Sequence, residues 1–323
     1  PSMPFSPFVP LRVFSAYTML EGAIEPKAIA KRAKELGFPA VAVCDRNGLY
    51  AAPQFSDGCK STGVQPVIGT MLCVLRNGRP EGAAPVYDWL ALYAQNEAGY
   101  DNLCALVSAA HLDRPLEEPP HVDFAKLAQH IEGLIALSAG GEGALCRLLA
   151  EGQPDAAEAY AHQLCGLYPG RLYIAVSRRL DPVEGASEDA LIDLAYRLDL
   201  PLVATNPVNY AQADFHAAHD AMLCISASAY VESADRAKSS PDAWMKPAKD
   251  MQRLFEDLPE ALANTLVVAQ RCAVMAPKRA PILPSVAGDR EAEAAQLRTD
   301  AHAGLERRLA HIPDADRDLY FKR

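Results

Sequence analysis

Short apolar runs alternate along this chain with longer stretches in which apolar residues recur at helical spacing. Runs of the first kind predict buried strands, and stretches of the second kind predict amphipathic helices. The predicted strands are Leu11–Phe14, Ala40–Cys44, Val67–Val74, Trp89–Ala94, Gly133–Ser138, Leu172–Ser177 and Leu202–Thr205. The predicted helices are Pro26–Leu36, Ala51–Ser61, Tyr100–Ala110, Asp155–Cys165, Glu188–Leu198 and Ala211–Ile225.

This alternation predicts an α/β fold with a parallel sheet, because parallel neighbours need a helical crossover between them. The glycine-rich fingerprint of a dinucleotide-binding sheet is not found, so a closed β/α barrel is favoured over a Rossmann sheet. The chain changes character at Pro277, where three prolines precede a charged helical stretch over Arg290–Leu309. We therefore expect one domain over residues 1–276 and, over 277–323, a linker leading into another unit.

Composition narrows the function classes. The 323 residues carry a formal net charge of -10, which argues against a broad phosphate-binding surface and against direct DNA binding by this segment. The eight cysteines form no C-x-x-C pair, so buried free thiols are favoured over a zinc site or disulfides. Without a signal peptide or a long apolar run, we expect a soluble, cytoplasmic protein with no membrane association.

Two other constellations have a simple structural interpretation. His216 and His219 have a spacing that can chelate zinc on one helix face, but no Glu or Cys accompanies them, so a core or surface role is favoured. Arg178 and Arg179 could bind phosphate, although a solvated loop pair is favoured. No P-loop, serine nucleophile elbow or cysteine–histidine nucleophile is recognised.

The strongest signal is a series of ordered segments that begins with the stretch Phe8–Ala23. The others are Pro26–Gly37, Ala40–Asp45, Pro66–Gly69, Ala94–Leu103, Gly133–Ser138, Ala204–Asn206, His219–Ile225, Leu258–Thr265 and Pro281–Pro284. In this order they resemble the PHP (polymerase and histidinol phosphatase) domain at the N-terminus of the bacterial replicative DNA polymerase III alpha subunit. The resemblance covers nearly the whole chain. It implies a distorted seven-stranded β/α barrel, followed by a segment leading into the polymerase palm.

The resemblance also implies a metal site from which most ligands are missing. Metal-competent members of the family place His, Asp, Glu and Cys side chains at the ends of the barrel strands. The matching positions here are Arg12, Phe14, Asp45, Arg46, Met71, Trp89, Gly140, Pro207 and Asn209. Only Asp45 keeps an ideal ligand, and Asn209 offers one weak carbonyl oxygen. We therefore expect no catalytic residue and no bound metal in this segment.

Asp45 has two interpretations. It is either a remnant metal ligand or base, or a structural carboxylate at a strand end that is paired with a neighbouring cation. Arg12 and Arg46 are the expected neighbours, and a buried carboxylate needs such partners. The favoured hypothesis is a salt bridge from Asp45 to an arginine that stands in for the metal.

Two function classes follow from the resemblance. The favoured one is a non-catalytic domain that stabilises the polymerase core and docks the proofreading exonuclease subunit within the replicase. The parent chain would be a DNA-directed DNA polymerase that contacts DNA elsewhere and uses magnesium at its palm. The alternative is an active metal-dependent phosphoesterase or exonuclease. An error-prone polymerase paralogue is a third possibility, which the opening Pro10-Leu11-Arg12-Val13 disfavours.

Overall fold

The computed structural model of the chain describes residues 6–78, 82, 84–281 and 284–322. They form two compact units with bounds Pro1–Pro277 and Lys278–Arg323. The middle of the Pro281–Pro284 motif, Ile282 and Leu283, lies outside the described residues. None of the helices in the described part of the chain is long and apolar enough to cross a membrane.

The first unit is built on one curled six-stranded sheet. Its strands are β1 (Ala40–Arg46), β2 (Gln65–Leu75), β3 (Tyr87–Ala94), β4 (Leu134–Leu137), β5 (Leu172–Ser177) and β6 (Leu202–Thr205). They lie side by side in chain order from β1 to β6. The pairs β1–β2, β4–β5 and β5–β6 are parallel, as the alternation of strands and helices predicts.

The prediction of an all-parallel sheet is wrong at β3, which is antiparallel to both β2 and β4. Between Leu75 and Tyr87 the chain has only the eleven residues 76–86. A parallel pair needs a crossover of about a dozen residues or more, so these two strands pair as a hairpin. As a result, β3 starts at the edge of the sheet where the parallel strands end.

The first predicted strand, Leu11–Phe14, is not a regular strand. It forms one isolated bridge, between Val13 and Val208. The Cys44 N–H donates to the Val13 carbonyl at 2.8 Å, and the Phe14 N–H donates to the Val208 carbonyl at 2.9 Å. The proline just before the segment has no N–H, which limits the ladder it can form. The segment therefore lies between β1 and the residues that follow β6.

Helices follow the strands and cover the sheet. They are α1 (Pro26–Glu35), α2 (Ala52–Thr62), α3 (Glu97–Leu112), α4 (Phe124–Ala128), α5 (Ala144–Ala150), α6 (Pro154–Leu167), α7 (Pro182–Arg197), α8 (His216–Ala227), α9 (Ala248–Leu254) and α10 (Pro259–Arg271). The six helices predicted in this unit are confirmed, with shifts at their ends. The pattern missed α4, α5, α9 and α10, of which the first three are too short to show a clear period.

Two hydrophobic clusters lie on opposite faces of the sheet, because strand side chains alternate. Val41, Leu72 and Leu92 belong to the larger cluster, which packs against the helices. Ala42, Met71 and Ala91 belong to the smaller cluster on the concave face. That concave cluster is completed by the opening segment, through Val9, Leu11 and Phe14, and by α10, through Val268, Ala269 and Cys272.

The second unit contains the helices α11 (Arg290–Leu309) and α12 (Arg317–Lys322). α11 has the bounds predicted from its charged pattern. It begins after Asp289, whose side-chain Oδ1 accepts a hydrogen bond from the Ala292 N–H at 2.8 Å. This is the usual N-terminal cap of a helix, in which an Asp satisfies a backbone N–H that lacks a helical partner.

Candidate arginine-filled pocket at the strand ends

The matched positions cluster where β1, β4 and β6 end and β3 begins. Asp45 and Arg46 end β1, and Met71 in β2 pairs with Arg46 across the sheet. Trp89 is the third residue of β3, which runs in the opposite direction and so contributes its start to this edge. In open and closed α/β sheets, binding sites form at the carboxyl ends of the parallel strands.

The remaining positions reach the same edge from connecting segments. Arg12 and Phe14 belong to the segment beside β1, and both are buried. Gly140 follows β4 and begins a short 3-10 helix with a φ of +55°. A Cβ added there would come within 2.8 Å of the Ser177 hydroxyl and 3.5 Å of Arg12 Nη1, so glycine is needed for the close approach. Pro207 and Asn209 follow β6 and are buried.

Asp45 is buried and makes no ion pair with any residue that the structure describes. Its Oδ1 accepts hydrogen bonds from the Ser15 N–H at 2.7 Å and the Thr18 hydroxyl at 2.8 Å, and its Oδ2 accepts one from the Ser15 hydroxyl at 2.7 Å. Burial raises the pKa of Asp45 above its ordinary value, and these hydrogen bonds offset the rise only in part. The carboxylate is therefore held by uncharged donors.

Arg12 is the buried end of an ionic network that is centred on Glu142. It is one of the largest fully buried side chains, and its Nη1 donates to the Ala139 carbonyl at 3.0 Å. Its Nη2 donates to Glu142 Oε2 in a short ion pair. Burial opposes ionisation of Glu142, but Arg46, Arg12 and Arg179 together lower the pKa of this carboxyl to about 2. Glu142 is therefore ionised at any physiological pH.

Arg46 extends the network toward the mouth of the pocket. Its Nε and Nη2 donate to the two carboxylate oxygens of Glu21, each at 2.6 Å, and Nη2 also donates to Glu142 Oε1 at 2.6 Å. Its guanidinium carbon lies 4.9 Å from the ring centroid of Phe14 and 4.5 Å from that of Trp89. Cations stack favourably on aromatic faces. Burial alone would lower the pKa of Arg46, but Glu142 and Glu21 more than offset it and raise that pKa.

The predicted salt bridge between Asp45 and an arginine is therefore wrong in its partner. Arg12 and Arg46 are paired, but with Glu142 and Glu21, neither of which was among the expected site residues. Glu21 lies in a turn and Glu142 ends the short 3-10 helix, and Glu142 stands 96 positions from Arg46 along the chain. One signal could have found Glu142, since it lies only two residues beyond the matched position Gly140.

The two histidines of α8 are engaged in hydrogen bonds beside this network. His219 is buried, with Nδ1 at 2.6 Å from the Ser239 hydroxyl and Nε2 at 2.7 Å from the Glu21 carbonyl oxygen. Burial lowers the pKa of His219 below its ordinary value. His216 Nε2 lies 3.0 Å from the Ser239 carbonyl oxygen. The hydrogen bonds of both histidines to Ser239 thus hold the loop around that residue against α8.

Comparison with known proteins assigns the chain to a family. The PHP domain, as a family, matches residues 10–179 of the chain. The chain belongs to the PHP domain family. The match includes the opening segment from Pro10 onward, strands β1 to β5, and both Arg12 and Arg46.

Curated relatives of this PHP chain are polymerase subunits. The DNA polymerase III subunit alpha of Caulobacter vibrioides is 44% identical over 323 residues, covering 98% of this chain and 28% of that protein. The subunit of the same name from Treponema pallidum is 34% identical over 315 residues, covering 95% of this chain and 27% of that protein. The chain therefore spans between a quarter and a third of the length of these relatives.

A solved structure described as a metal-dependent phosphoesterase, from Bifidobacterium adolescentis, is also similar to this PHP chain. The two share 13% sequence identity and a TM-score of 0.44, over 64% of this chain and 88% of the other.

The residues of this pocket do not fit a divalent metal ion. Within residues 6–78, 82, 84–281 and 284–322, no group of three or more His, Cys, Asp or Glu side chains could hold a metal. Asp45, the one ideal ligand among the matched positions, already accepts three hydrogen bonds. Arg12 and Arg46 stand at two of the other matched positions, and a guanidinium has no lone pair to donate.

Proposed function

We propose that this chain is the PHP domain of a replicative DNA polymerase III alpha subunit, with a degenerate and non-catalytic metal site. In this proposal residues 1–276 form the PHP domain, closed as a distorted seven-stranded barrel by the opening segment. Residues 277–323 form the linker that leads toward the polymerase palm. The parent protein would be a cytoplasmic DNA-directed DNA polymerase that uses magnesium at a palm outside this segment.

The observation that supports the loss of catalysis is the pairing of Arg12 and Arg46 with Glu142 and Glu21. Two arginine cations stand at positions where metal-competent family members have ligands, and both carboxylates near them are neutralised. A divalent ion entering this pocket would meet like charge, and it would have to break charge-assisted hydrogen bonds to gain a ligand. In this proposal the chain keeps the scaffold of the PHP family, and a network of ion pairs that stabilises the fold takes the place of the metal site.

Metal content and turnover test this proposal. The purified chain is dialysed against manganese or zinc, analysed by inductively coupled plasma mass spectrometry, and assayed for phosphoesterase and exonuclease activity. We expect less than about one metal ion in ten chains and no turnover above buffer. The Asp45→Ala variant is the matched control. Stoichiometric metal together with turnover that Asp45→Ala abolishes would overturn the proposal in favour of an active metal-dependent phosphoesterase or exonuclease.

The docking role is tested separately. In the proposal this domain binds the proofreading exonuclease subunit and other replicase subunits, while DNA is bound through the rest of the parent chain. A specific interface buries about 800 Å² on each partner, and such an association survives gel filtration at micromolar concentration. We expect the chain to co-elute with the exonuclease subunit. Separate elution at all concentrations would remove the docking role without affecting the conclusion on metal.

A further inference from the structure

The connection between α8 and α9 is long and irregular, and we call it the α8–α9 loop. It contains the twenty residues 228–247, all of which the structure describes, and it includes no helix and no regular strand. Connections of more than about 12–15 residues without secondary structure are uncommon in compact domains, and they are usually either functional or disordered. Fixing such a segment costs conformational entropy, so the contacts that hold it indicate what it is for.

A single arginine clamps the α8–α9 loop onto α8. Arg236 Nη1 and Nη2 donate to the two carboxylate oxygens of Asp220 at 2.9 and 2.6 Å, and the Arg236 side chain is only 5% exposed. Its Nε and Nη2 also donate to the Val231 carbonyl, at 3.1 and 2.9 Å. The Ser239 N–H donates to Asp220 Oδ1 at 2.9 Å. One guanidinium and one carboxylate thus hold both the outer part of the loop and the returning chain at Ser239.

The outer part of the loop, residues 230–235, presents apolar side chains to solvent, and we call it the loop tip. It begins with a turn in which the Ser233 N–H donates to the Tyr230 carbonyl at 3.1 Å. Tyr230 is 80% exposed and Val231 is 54% exposed, and Ile225 in the last turn of α8 is 71% exposed. Tyrosine is enriched among the residues that dominate the binding energy of protein–protein interfaces. The clamp therefore stabilises an exposed apolar surface, not an interior one.

The charge that remains available at the loop tip is negative. Glu232 and Asp235 are exposed, and neither forms a hydrogen bond or an ion pair with any residue that the structure describes. Arg236 is neutralised by Asp220, and Lys238 lies beyond the clamp. Exposed carboxylates repel the phosphates of nucleic acids and of anionic membranes, whereas they attract a protein surface that carries Arg or Lys. The charge and the apolar side chains together therefore favour a protein as the partner.

We propose that the loop tip and the last turn of α8 dock a protein partner whose surface places Arg or Lys side chains beside an apolar pocket. Glu232 and Asp235 would accept charge-assisted hydrogen bonds from those cations, and Tyr230 and Val231 would enter the pocket. Because Arg236 already holds the tip in place, binding would cost little further ordering entropy. Burial of the apolar side chains would supply affinity, and the acids would select the partner. This inference rests on the docking role proposed above and assigns that role a surface.

Affinity for the exonuclease subunit tests the assigned surface. The 323-residue chain is titrated against the immobilised subunit by biolayer interferometry, at about 50 and about 500 mM NaCl. The tip variants are Tyr230→Ala and the charge reversal Glu232→Lys. The matched controls are Tyr196→Ala, at a tyrosine of α7 that is 57% exposed, and Glu117→Lys, at an exposed acid after α3. Circular dichroism checks that each variant is folded.

We expect each tip variant to bind at least about tenfold more weakly and each control to bind like the parent. The affinity of the parent should fall at the higher salt concentration, whereas that of Glu232→Lys should fall less. Unchanged affinity in both tip variants, or equal losses in tip and control variants, would overturn the assignment and leave the docking role intact. A loss in Tyr230→Ala alone would overturn the cationic chemistry of the partner. Absence of binding by the parent chain would instead remove the docking role, and this inference with it.

A labelled single-stranded oligonucleotide is the second probe, because it distinguishes a protein partner from a nucleic acid. We expect no binding of the oligonucleotide to the parent chain, since the exposed charge of the loop tip is negative. Binding that Tyr230→Ala weakens and Glu232→Lys strengthens would overturn the proposal in favour of a nucleic-acid contact.

Discussion

Asp45 and Glu142 are two carboxylates in the same pocket that are stabilised in opposite ways. Asp45 is surrounded by hydroxyl and backbone N–H donors, and its pKa is raised by burial. Glu142 is surrounded by arginines, and its pKa is lowered to about 2 despite burial. Asp45 is thus held by uncharged hydrogen-bond donors, whereas the charge balance of the pocket depends on Glu142, at the end of the short 3-10 helix.

This difference shows how the pocket accommodates two arginine cations. Positive charge at Arg12 and Arg46 needs a counter-ion nearby, because an unpaired buried charge costs several kcal/mol. Glu142 supplies it to both arginines at once, and Glu21 supplies it to Arg46. We therefore expect substitution of an arginine in the pocket to lower the free energy of unfolding strongly, and substitution of Asp45 to change it little.

The largest effect is expected from Arg12→Ala. The substitution deletes a fully buried side chain, leaves a cavity and removes one of the two arginines that neutralise Glu142. We expect the free energy of unfolding to fall by about 3–5 kcal/mol, as measured by urea denaturation monitored by circular dichroism. Arg253→Ala is the control, since Arg253 is exposed and, among the described residues, pairs only with Asp250, and it should cost less than about 1 kcal/mol. Similar losses in the two variants would remove the distinction between the pocket and the surface.

A smaller effect is expected from acidification. The pKa of Glu142 lies below its ordinary value of 4.5, so its stabilising contribution is complete above that value and is lost as the pH falls toward 2. We expect this carboxyl to account for a loss of about 3 kcal/mol over that window. Asp45 acts in the other direction, because its raised pKa makes protonation favour the folded state.

Glu142→Gln isolates the contribution of that carboxyl. The variant should be less stable than the parent at pH 7, and its loss of stability between pH 5 and pH 3 should be clearly shallower. Urea denaturation at several pH values measures both slopes. Parallel curves for parent and variant would contradict the assignment of the ionic role to Glu142.

The smallest effect is expected from Asp45→Asn. The amide oxygen can still accept from the Ser15 N–H and the Thr18 hydroxyl, and the Ser15 hydroxyl can turn to accept from the new amide N–H. We expect a change in unfolding free energy within about 1 kcal/mol. A loss as large as that of Arg12→Ala would show that Asp45 is ionically coupled to the arginines after all.

The fold and the site differ in how far the sequence predicts them. Strands β1, β2, β5 and β6 follow from local apolar runs, because each is buried on both faces. The reversal of β3 depends on the short connection before it, and a strand pattern carries no direction. Arg12 and Arg46 could be found from their alignment with a ligand set. Their partner Glu142 could be sought only from its position two residues beyond Gly140, because an ion pair across 130 residues leaves no local periodicity.

The hydrogen bonds of the opening segment have a consequence for synthesis on the ribosome. Phe14 bonds to Val208, His219 to the Glu21 carbonyl, and the Val9 N–H to the Thr265 hydroxyl, which lies 256 residues further along the chain. Contacts of such high sequence separation form slowly and cannot form before both ends exist. The opening stretch can therefore pair early with β1, through Val13 and Ser15, but it completes its bonds only after the final helix of the first unit has emerged.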